Sequence, residues 1–309
     1  MTPAALADCV KRAAAEMGYV RCGITSAMPF PVFGQALERL IEGHPDLSPL
    51  YERFRARVDP RGNAPWARSI VVAVRRYGRY RLPASAVGHI GRNYLCDRRA
   101  PANPDFAMPG RMKATLQALG LRVKTGSGTS DRWAAARAGV ARLARNTFAV
   151  ADGCGSWINI ECWRVDADLP ADPPTLDDPC PPGCRRCMEA CPTAAIVAPR
   201  TMRMDRCAAW LTYSAPWPIA PDLWRRMGPW IYGCDACQEV CPLNRGAWSE
   251  EEPMPWMELL RERLQPAALA VMSDEEYRRF IHPFFPYISA DNAERWRANA
   301  RRALECQAS

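Results

Sequence analysis

Two cysteine-rich stretches decide the fold of this chain, and they read CPPGCRRCMEACP at residues 180–192 and CDACQEVCP at residues 234–242. In each stretch, three residues separate the last cysteine from the one before it, and a proline follows the last cysteine. Short gaps between cysteines let one loop surround several corners of an iron–sulfur cubane, and the cysteine before the proline ligates the other cluster in two-cluster ferredoxins. The spacing therefore predicts two [4Fe–4S] clusters that exchange one ligand each.

Counting the ligands assigns eight cysteines to the two clusters. The last cysteine of each stretch is expected on the helix after its loop, and one more cysteine stands alone between the stretches in a segment that we expect to be helical. The first cluster is predicted to bind Cys180, Cys184, Cys187 and Cys241, and the second Cys234, Cys237, Cys191 and Cys207. A pair of structural zinc sites is the alternative, because zinc also binds C-x2-C pairs, but zinc ribbons do not require the cysteine–proline endings.

The composition supports metal ligation by a globular protein. The 309 residues are 48% hydrophobic and 24% charged, close to the globular average. No apolar run is long enough to span a membrane, and charges interrupt the N-terminal segment, so we expect a cytoplasmic protein that does not bind membranes. Fourteen cysteines in such a chain favour metal ligands over disulfides. The net charge of +8 is dispersed, without a block of five basic residues, and does not by itself establish nucleic-acid binding.

The pattern along the chain divides it into three predicted domains. Residues 1–165 alternate helical and strand patterns, residues 166–245 begin with a Pro/Asp-rich linker and contain the cysteine stretches, and residues 246–309 are helical. The predicted helices are Leu6–Met17, Met112–Leu119, one capped by Asp131 and reaching Ala138, 273–281 and Asn292–Leu304. The predicted strands are Ser69–Val74, Thr147–Val150 and Ser156–Cys162.

The sequence CAAWLTY at residues 207–213, followed by IYGCDACQEVCPLN at residues 231–244, resembles the epoxyqueuosine reductase family, which is related to reductive dehalogenases. Further similar segments are GYVRCGI at 18–24, PWARS at 65–69, RNT at 145–147, GSW at 155–157 and WRANARRAL at 296–304. The resemblance implies an α+β fold. It comprises a nitroreductase-like, cobalamin-binding N-terminal domain, a bacterial ferredoxin-like module with two [4Fe–4S] clusters, and short C-terminal helices.

The resemblance also implies a reductase that passes electrons through two [4Fe–4S] clusters to a cobalamin, which reduces the substrate. An external donor would supply the electrons: a flavodoxin, a ferredoxin or a reductase. The residues implied to contact the cobalamin are Arg92, Gly139, Asn146, Thr147, Gly155, Ser156 and Trp157. The alternative is an electron-transfer or corrinoid-handling iron–sulfur protein without substrate chemistry of its own.

The chain departs from the family in the segment that should supply a proton. Thr125 stands where the family has a proton-donating aspartate, and a threonine hydroxyl is too weak an acid for that role. Asp97 and Tyr94 are the remaining candidate proton donors. The sequence ends at Ser309, where the helical repeats that read tRNA would continue. We therefore expect a monomer whose substrate is a small molecule or a protein rather than tRNA.

Overall fold

The computed structural model describes residues 1–308 and divides into two compact units. Unit one comprises Met1–Arg76 and Ala107–Pro182; unit two comprises Tyr77–Phe106 and the chain from Gly183 onward. The predicted domains were continuous, whereas these units are not, because residues 77–106 pack with the cysteine-rich part and most of the linker packs with unit one. The function assigned to each predicted domain stays a prediction, and Ser309 lies outside the described residues.

Strands are concentrated in unit one, and unit two contains only short ones. The strands are β1 Arg21–Ser26, β2 Ser69–Arg76, β3 Tyr80–Arg81, β4 Val123–Lys124, β5 Arg142–Leu143, β6 Ala149–Val150, β7 Ile158–Val165, β8 Ile196–Ala198, β9 Thr201–Met202 and β10 Glu252–Pro253.

Helices occur in both units, and those of unit two are short until the last one. The helices are α1 Pro3–Glu16, α2 Pro31–Gly43, α3 Ser48–Glu52, α4 Arg92–Leu95, α5 Met108–Ala118, α6 Asp131–Arg137, α7 Arg186–Glu189, α8 Ala208–Tyr213, α9 Pro221–Arg226, α10 Ala236–Glu239, α11 Pro255–Leu260, α12 Pro266–Val271, α13 Asp274–Glu276 and α14 Ala293–Ala308. The 3-10 turns are Pro45–Leu47, Arg55–Arg57, Met204–Arg206 and Pro242–Asn244, and Tyr277–Ile281 is a π-helical turn. Within residues 1–308, no helix has the length and apolar character needed to cross a bilayer.

A four-stranded antiparallel sheet forms the centre of unit one, with strand order β1-β2-β7-β4. Strand β2 is buried along nearly its whole length. Ile70, Val72 and Val74 join a core on one face that includes the alanines of α6. Val71 and Ala73 join a second core on the other face with α1 and α5. Helices cover both faces of the sheet, which explains why β2 reads as an uninterrupted apolar run.

Unit two is built around loops, short helices and aromatic contacts. Its strand pairs, β3 with β10 and β8 with β9, contain only two or three residues per strand. The Tyr232 ring stacks on Trp296 of α14 at 4.9 Å between ring centres, and Phe285 packs edge-on against both. The apolar cluster beside α8 consists of Ala208, Leu211, Ala215 and Met227 with partly buried neighbours.

Most predicted elements are present, with boundary shifts that have local causes. The predicted strand at 69–74 is confirmed as β2. Ser130, rather than Asp131, is the N-cap of α6. The strand predicted to begin at Thr147 is reduced to β6, because Thr147 adopts a positive φ of 72° that a strand does not accommodate. The helix predicted over 273–281 is α13 followed by the π-helical turn.

Candidate metal centres and active site

Three predicted ligands of the first cluster lie together in unit two. Burial raises the pKa of the Cys187 thiol, and the neighbouring thiols of Cys241 and Cys184 raise it further. Burial also raises the pKa of the Cys241 thiol, to which Cys184 adds. Such mutual effects between thiols require proximity. The cysteine that ends the second stretch is therefore near two cysteines of the first stretch, and its ligation of the first cluster stays a prediction.

The four predicted ligands of the second cluster all belong to unit two. Burial raises the pKa of the Cys237 thiol, and Cys207, Asp235, Cys191 and Cys187 raise it further, the last of these being a predicted ligand of the first cluster. The pKa of the Cys234 thiol is also raised by burial, with contributions from Cys237 and Cys207. The isolated Cys207 and the exchanged Cys191 thus lie beside the C-x2-C pair of the second stretch.

Cys180, the remaining predicted ligand, belongs to unit one and precedes Cys184 by four positions. Its sulfur accepts a hydrogen bond from the Arg145 backbone N–H at 3.4 Å. Its own N–H donates to the Asp178 carboxylate at 3.1 Å. An N–H directed at sulfur stabilises a thiolate, which is the form that ligates iron. Its ligation of the first cluster stays a prediction.

The cysteines that precede prolines lie just past the short helices, and the expectation that they lie on a helix is wrong. Helices α7 and α10 end at Glu189 and Glu239, two residues before Cys191 and Cys241. A residue before proline is disfavoured in the helical region, and Cys241 is extended with φ −72° and ψ 122°. Cys207 is likewise extended, at the N-cap of α8 rather than within a helix.

The donor set fits iron–sulfur clusters. The two groups contain thiols, the soft ligands that iron–sulfur clusters use. The Cys191 sulfur also accepts a backbone N–H from Ala195 at 3.1 Å. Hydrogen bonds to ligating sulfur are among the contacts that set the reduction potential of a cluster.

Asp235, between two ligands of the second cluster, is a site residue that the sequence reasoning missed. Its buried carboxylate accepts the Arg92 backbone N–H at 2.6 Å and the Gln238 side-chain amide at 3.2 Å. Burial raises the pKa of the Asp235 carboxyl to about 6, although the bond from Arg92 and its charge act in the opposite direction. The Arg92 guanidinium pairs with Glu239 and lies 5.0 Å from the centre of the Trp248 ring. Arg92 is thereby anchored to α10, and its predicted contact with cobalamin stays a prediction.

Tyr94 lies in a cluster of tyrosines beside the second cysteine group. Its hydroxyl is 2.8 Å from that of Tyr213, and its ring centre is 5.1 Å from that of Tyr232. Burial raises the pKa of Tyr94 well above its usual value, and Tyr213 adds to the rise. A Cβ on Gly233, whose φ is +76°, would lie 2.2 Å from the Tyr94 ring. Only glycine therefore lets Tyr94 pack against the backbone next to Cys234.

The two candidate proton donors have different surroundings. The buried carboxylate of Asp97 accepts the Arg99 backbone N–H at 2.9 Å and its Nε at 2.8 Å, and forms an ion pair with that side chain. These contacts use Asp97 as an acceptor. Tyr94, with its raised pKa, retains its phenolic proton at neutral pH. Burial makes Tyr94 a weaker acid than a free tyrosine, and the roles of both residues as proton donors stay predictions.

The loops of unit one hold five of the residues that the resemblance assigns to cobalamin. Thr147 has a φ of 72°, and its carbonyl accepts Arg132 Nη1 at 2.7 Å. The side chain of the buried Asn146 accepts the Phe148 N–H at 3.2 Å. In the following loop, Gly155 has a positive φ and pairs with Ala151. The other two residues of this set are buried: Ser156 and Trp157.

Gly139 has a packing role in unit one. Its φ is +69°, and an added Cβ would lie 2.4 Å from the Pro173 carbonyl oxygen. The glycine therefore permits the linker backbone to approach the end of α6. Its predicted contact with cobalamin stays a prediction.

The segment containing Thr125 is exposed, and contacts along its length hold its backbone. The Thr125 carbonyl accepts Arg164 Nη2 at 3.4 Å, and the Ser127 carbonyl accepts the Asn63 amide at 3.1 Å. Residues 124–128 contain no carboxylate. This segment accordingly offers a hydroxyl where the resemblance leads one to expect an acid.

The loops of unit one also fit a bound cofactor. A β-branched residue at positive φ, such as Thr147, costs on the order of 1–3 kcal/mol and persists where its surroundings hold it in place, frequently at ligand clamps. The contact from Arg132 holds this conformation. These loop residues are compatible with contacts to a bound corrinoid.

Comparison with known proteins identifies a matching family model and similar proteins for this chain. Residues 180–244 match the family model of the 4Fe-4S double cluster binding domain. An epoxyqueuosine reductase from Cyclobacterium marinum is 27% identical over 299 residues, covering 88% of this chain and 94% of the relative. One from Burkholderia pseudomallei is 33% identical over 219 residues, covering 67% of this chain and 48% of the relative.

Solved structures match along nearly the whole chain. The epoxyqueuosine reductase from Bacillus subtilis has a TM-score of 0.77 and 25% identity, covering 98% of this chain and 82% of that one. In sequence and in fold, the chain is similar to the epoxyqueuosine reductases. The predicted α+β fold, with a nitroreductase-like part and a two-cluster ferredoxin-like module, is confirmed by this match and by the double-cluster family model. This epoxyqueuosine reductase relative is an iron–sulfur oxidoreductase.

The expectation of a small-molecule or protein substrate in place of tRNA is wrong. A solved epoxyqueuosine reductase in complex with a tRNA-Tyr epoxyqueuosine-modified stem loop has a TM-score of 0.77 and 25% identity. The match covers 98% of this chain and 81% of the tRNA-bound one, so most of that fold has a counterpart here. The expectation rested on Thr125 and on the position of the last residue, and the match to the tRNA-bound structure overturns it.

Proposed function

We propose that this chain reduces epoxyqueuosine in tRNA with the help of two [4Fe–4S] clusters and cobalamin, in the cytoplasm. The observation that carries the proposal is the grouping of the cysteines in unit two. Cys241 lies with the thiols of the first stretch, and Cys191 and Cys207 lie with the pair of the second stretch. This arrangement accompanies a match along nearly the whole chain to a reductase whose structure contains the modified stem loop.

Most of the proposed cobalamin contacts belong to unit one, and seven of the eight proposed cluster ligands belong to unit two. When bound, the clusters carry single electrons from an external flavodoxin, ferredoxin or reductase, and the cobalamin supplies a cobalt centre that takes up electrons for the substrate. The loops around Thr147 and Gly155 in unit one, with Asn146, Ser156 and Trp157, are the proposed corrinoid contacts. In unit two, Arg92 is the proposed contact.

The chain's own chemical task is to deliver protons, because reductive removal of an epoxide oxygen consumes protons as well as electrons. Tyr94 is the proposed donor, supported by the hydrogen-bonded pair that its hydroxyl forms with Tyr213, whereas the Asp97 carboxylate is occupied as an acceptor for Arg99. The Tyr213 hydroxyl, 2.8 Å away, can replace the donated proton through the hydrogen bond. A donor in this position would take over the task of the acid that Thr125 does not supply.

Basic residues support a nucleic-acid substrate in a general way. The net charge is +8, and most basic residues are arginines. Arginine binds phosphate through paired donors, and dispersed positive charge attracts RNA independently of its sequence. This attraction would add to recognition of the modified nucleoside.

Complementation tests the proposed reaction. A strain that lacks its own epoxyqueuosine reductase should regain queuosine in bulk tRNA when it expresses this chain, and should not regain it with Cys237→Ala. Iron analysis of the purified chain establishes that the clusters are present. Iron-loaded chain that restores no queuosine would contradict the proposal.

A second candidate function is favoured by the absence of an acid at Thr125: an electron-transfer or corrinoid-handling protein without substrate chemistry. A cobalamin titration of the iron-loaded chain, followed by reduction and electron paramagnetic resonance, distinguishes the cases. A base-off Co(II) signal without queuosine formation supports corrinoid handling. Queuosine formation excludes this candidate, and the absence of binding at micromolar cobalamin leaves electron transfer alone.

A further inference from the structure

The last helix, α14, inserts polar side chains into the interior of unit two. Arg295, Asn299 and Arg302 are each buried, with 7%, 0% and 2% of their surface exposed. A buried charge or amide is costly unless hydrogen bonds satisfy it. Most of the partners of these side chains are backbone carbonyls in the two segments that lead away from Cys207 and toward Cys234.

Arg295 binds the end of the helix that begins after Cys207. Its Nε donates to the Thr212 carbonyl at 3.0 Å, and Nη1 and Nη2 donate to those of Ala215 and Leu211 at 2.8 Å each. The last carbonyls of a helix lack partners within the helix and carry partial negative charge. The planar guanidinium binds two carbonyls in the last turn of α8 and one just beyond that helix at once, which a lysine ammonium could not reproduce with the same geometry.

Asn299 joins this helix to the segment before Cys234. Its amide nitrogen donates to the Thr212 carbonyl and to the Ile231 carbonyl, both at 3.0 Å. Arg302 donates to the Asn299 side-chain oxygen at 3.2 Å, which fixes the orientation of the amide. One side chain therefore holds two loop segments together.

Thr212 makes the connection to the cluster ligand itself. It is fully buried, and its hydroxyl accepts the Gly233 backbone N–H at 2.9 Å, immediately before Cys234. The same hydroxyl donates to the Ala209 carbonyl at 2.7 Å, within the helix that follows Cys207. A continuous set of buried hydrogen bonds thus links the backbone beside Cys207 to the backbone beside Cys234.

We propose that Arg295, Asn299 and Thr212 are positioning residues for the second iron–sulfur cluster, which hold Cys207 and Cys234 at the separation that the cluster requires. The inference rests on the cluster ligands of the proposed function. Cys207 and Cys234 are far apart in sequence, and the segment between them contains neither of the two cysteine-rich stretches. Helix α14 is accordingly part of the metal site, although the sequence places it in a separate C-terminal segment.

Replacing Arg295 with methionine tests the proposal. Arg295→Met in the full chain should bind about four irons in place of about eight, with the first cluster retained. Arg301→Met is the matched control on the same helix, because Arg301 is exposed and pairs with Glu294 at the surface. The control should keep the iron content of the wild type. Electron paramagnetic resonance of the reduced chain distinguishes the two clusters.

A milder variant keeps the test decisive if Arg295→Met does not fold. Thr212→Val preserves the shape of the side chain and removes the bond to the Gly233 N–H. Its second cluster should lose iron to a chelator about tenfold faster, the effect of losing one buried hydrogen bond. Thr212→Ser, which retains the hydroxyl, should restore the wild-type rate.

The reduction potential of the second cluster provides a further measurement. A general loss of stability would not shift this potential in one particular direction. In Arg295→Met chains that keep the second cluster, its potential should fall, because removing a positive charge disfavours the reduced form. Wild-type iron content, chelation rate and potential in both Arg295→Met and Thr212→Val would overturn the inference. A wild-type chain without a second cluster would instead overturn the proposed function.

Discussion

The two units achieve stability in different ways. Unit one surrounds its sheet with apolar side chains on both faces, so that Ile70 to Val74 of β2 are completely buried. Unit two also buries apolar side chains, among them Trp256, Leu264 and Phe285, but combines them with buried arginines, an asparagine, stacked rings and thiols. Hydrophobic burial is non-directional, whereas hydrogen bonds and metal ligands require particular geometry.

This difference indicates that the two units have different roles in a two-cluster reductase. Unit one has a core that needs no ligand to be complete, and the loops at its surface can vary around a stable sheet. The cysteine-bearing part of unit two holds its ligands at defined separations, and bound metal contributes directly to the stability of such parts. Changes in the cysteine-bearing part of unit two should therefore affect cofactors first, and changes in the core of unit one should affect folding first.

The largest expected effect is the loss of a cluster ligand. Cys207→Ala should reduce the iron content from about eight to about four atoms per chain and abolish reductase activity, because the second cluster loses one of four thiolates. Iron and sulfide analysis after anaerobic purification measures this. Cys306→Ala is the matched control, since Cys306 is exposed on α14 outside both groups. Zinc in place of iron would refute the cluster assignment.

The next effect concerns the proton donor. Tyr94→Phe should lower the rate of epoxyqueuosine reduction by about 10²–10⁴, the usual contribution of a general acid, while the iron content is unchanged. Asp97→Asn should lower the rate less, because the carboxylate is an acceptor for Arg99. Single-turnover kinetics with iron-loaded chains measures both. A larger loss with Asp97→Asn would identify the carboxylate as the donor.

A core substitution tests the independence of unit one. Ile70→Ala should lower the free energy of unfolding by about 2–5 kcal/mol, because Ile70 is fully buried in the sheet. The iron content at 25 °C should not change. Val32→Ala, at an exposed site on α2, should change stability by less than about 0.5 kcal/mol. Denaturant titration measures both variants, and a loss of clusters in Ile70→Ala would show that the units are not independent.

The smallest expected effect lies at the edge of unit two. Ser273 caps α13, with its hydroxyl accepting the Glu276 N–H at 3.1 Å and the Glu276 carboxylate accepting the Ser273 N–H at 2.8 Å. Ser273→Ala should cost about 1 kcal/mol of stability with unchanged iron and activity. Thermal unfolding measures the cost. A cluster signal altered by this change would extend the cofactor-sensitive region of unit two beyond the contacts of α14.

Local sequence was sufficient for much of the metal site. The C-x2-C spacing and the cysteine–proline endings predicted the two thiol groups, and Cys207 was included because one ligand was missing from the count. The buried strand β2 was also predictable, since an apolar run bounded by polar residues has few other solutions. The resemblance of residues 207–213 and 231–244 indicated the family, which the comparisons confirmed.

Other features depended on contacts between distant residues. The extended conformation of Cys241 follows from the next proline and was open to local reasoning. Asp235 had a local signal, because it lies between two ligands. No pattern in the sequence connects Tyr94 with Tyr213, although their hydroxyls form a hydrogen bond. The two residues are 119 positions apart in the sequence.

By itself, the sequence determined which strand is buried and predicted which cysteines in each stretch ligate metal, because periodicity and spacing along the chain carry that information. Only the tertiary structure decided that residues 77–106 join the cysteine-rich unit and that α14 supports the second thiol group. Arginine and asparagine on a helix are ordinarily surface residues. Their burial here depends on backbone carbonyls that other segments bring to them, so their role could be recognised only once the chain was folded.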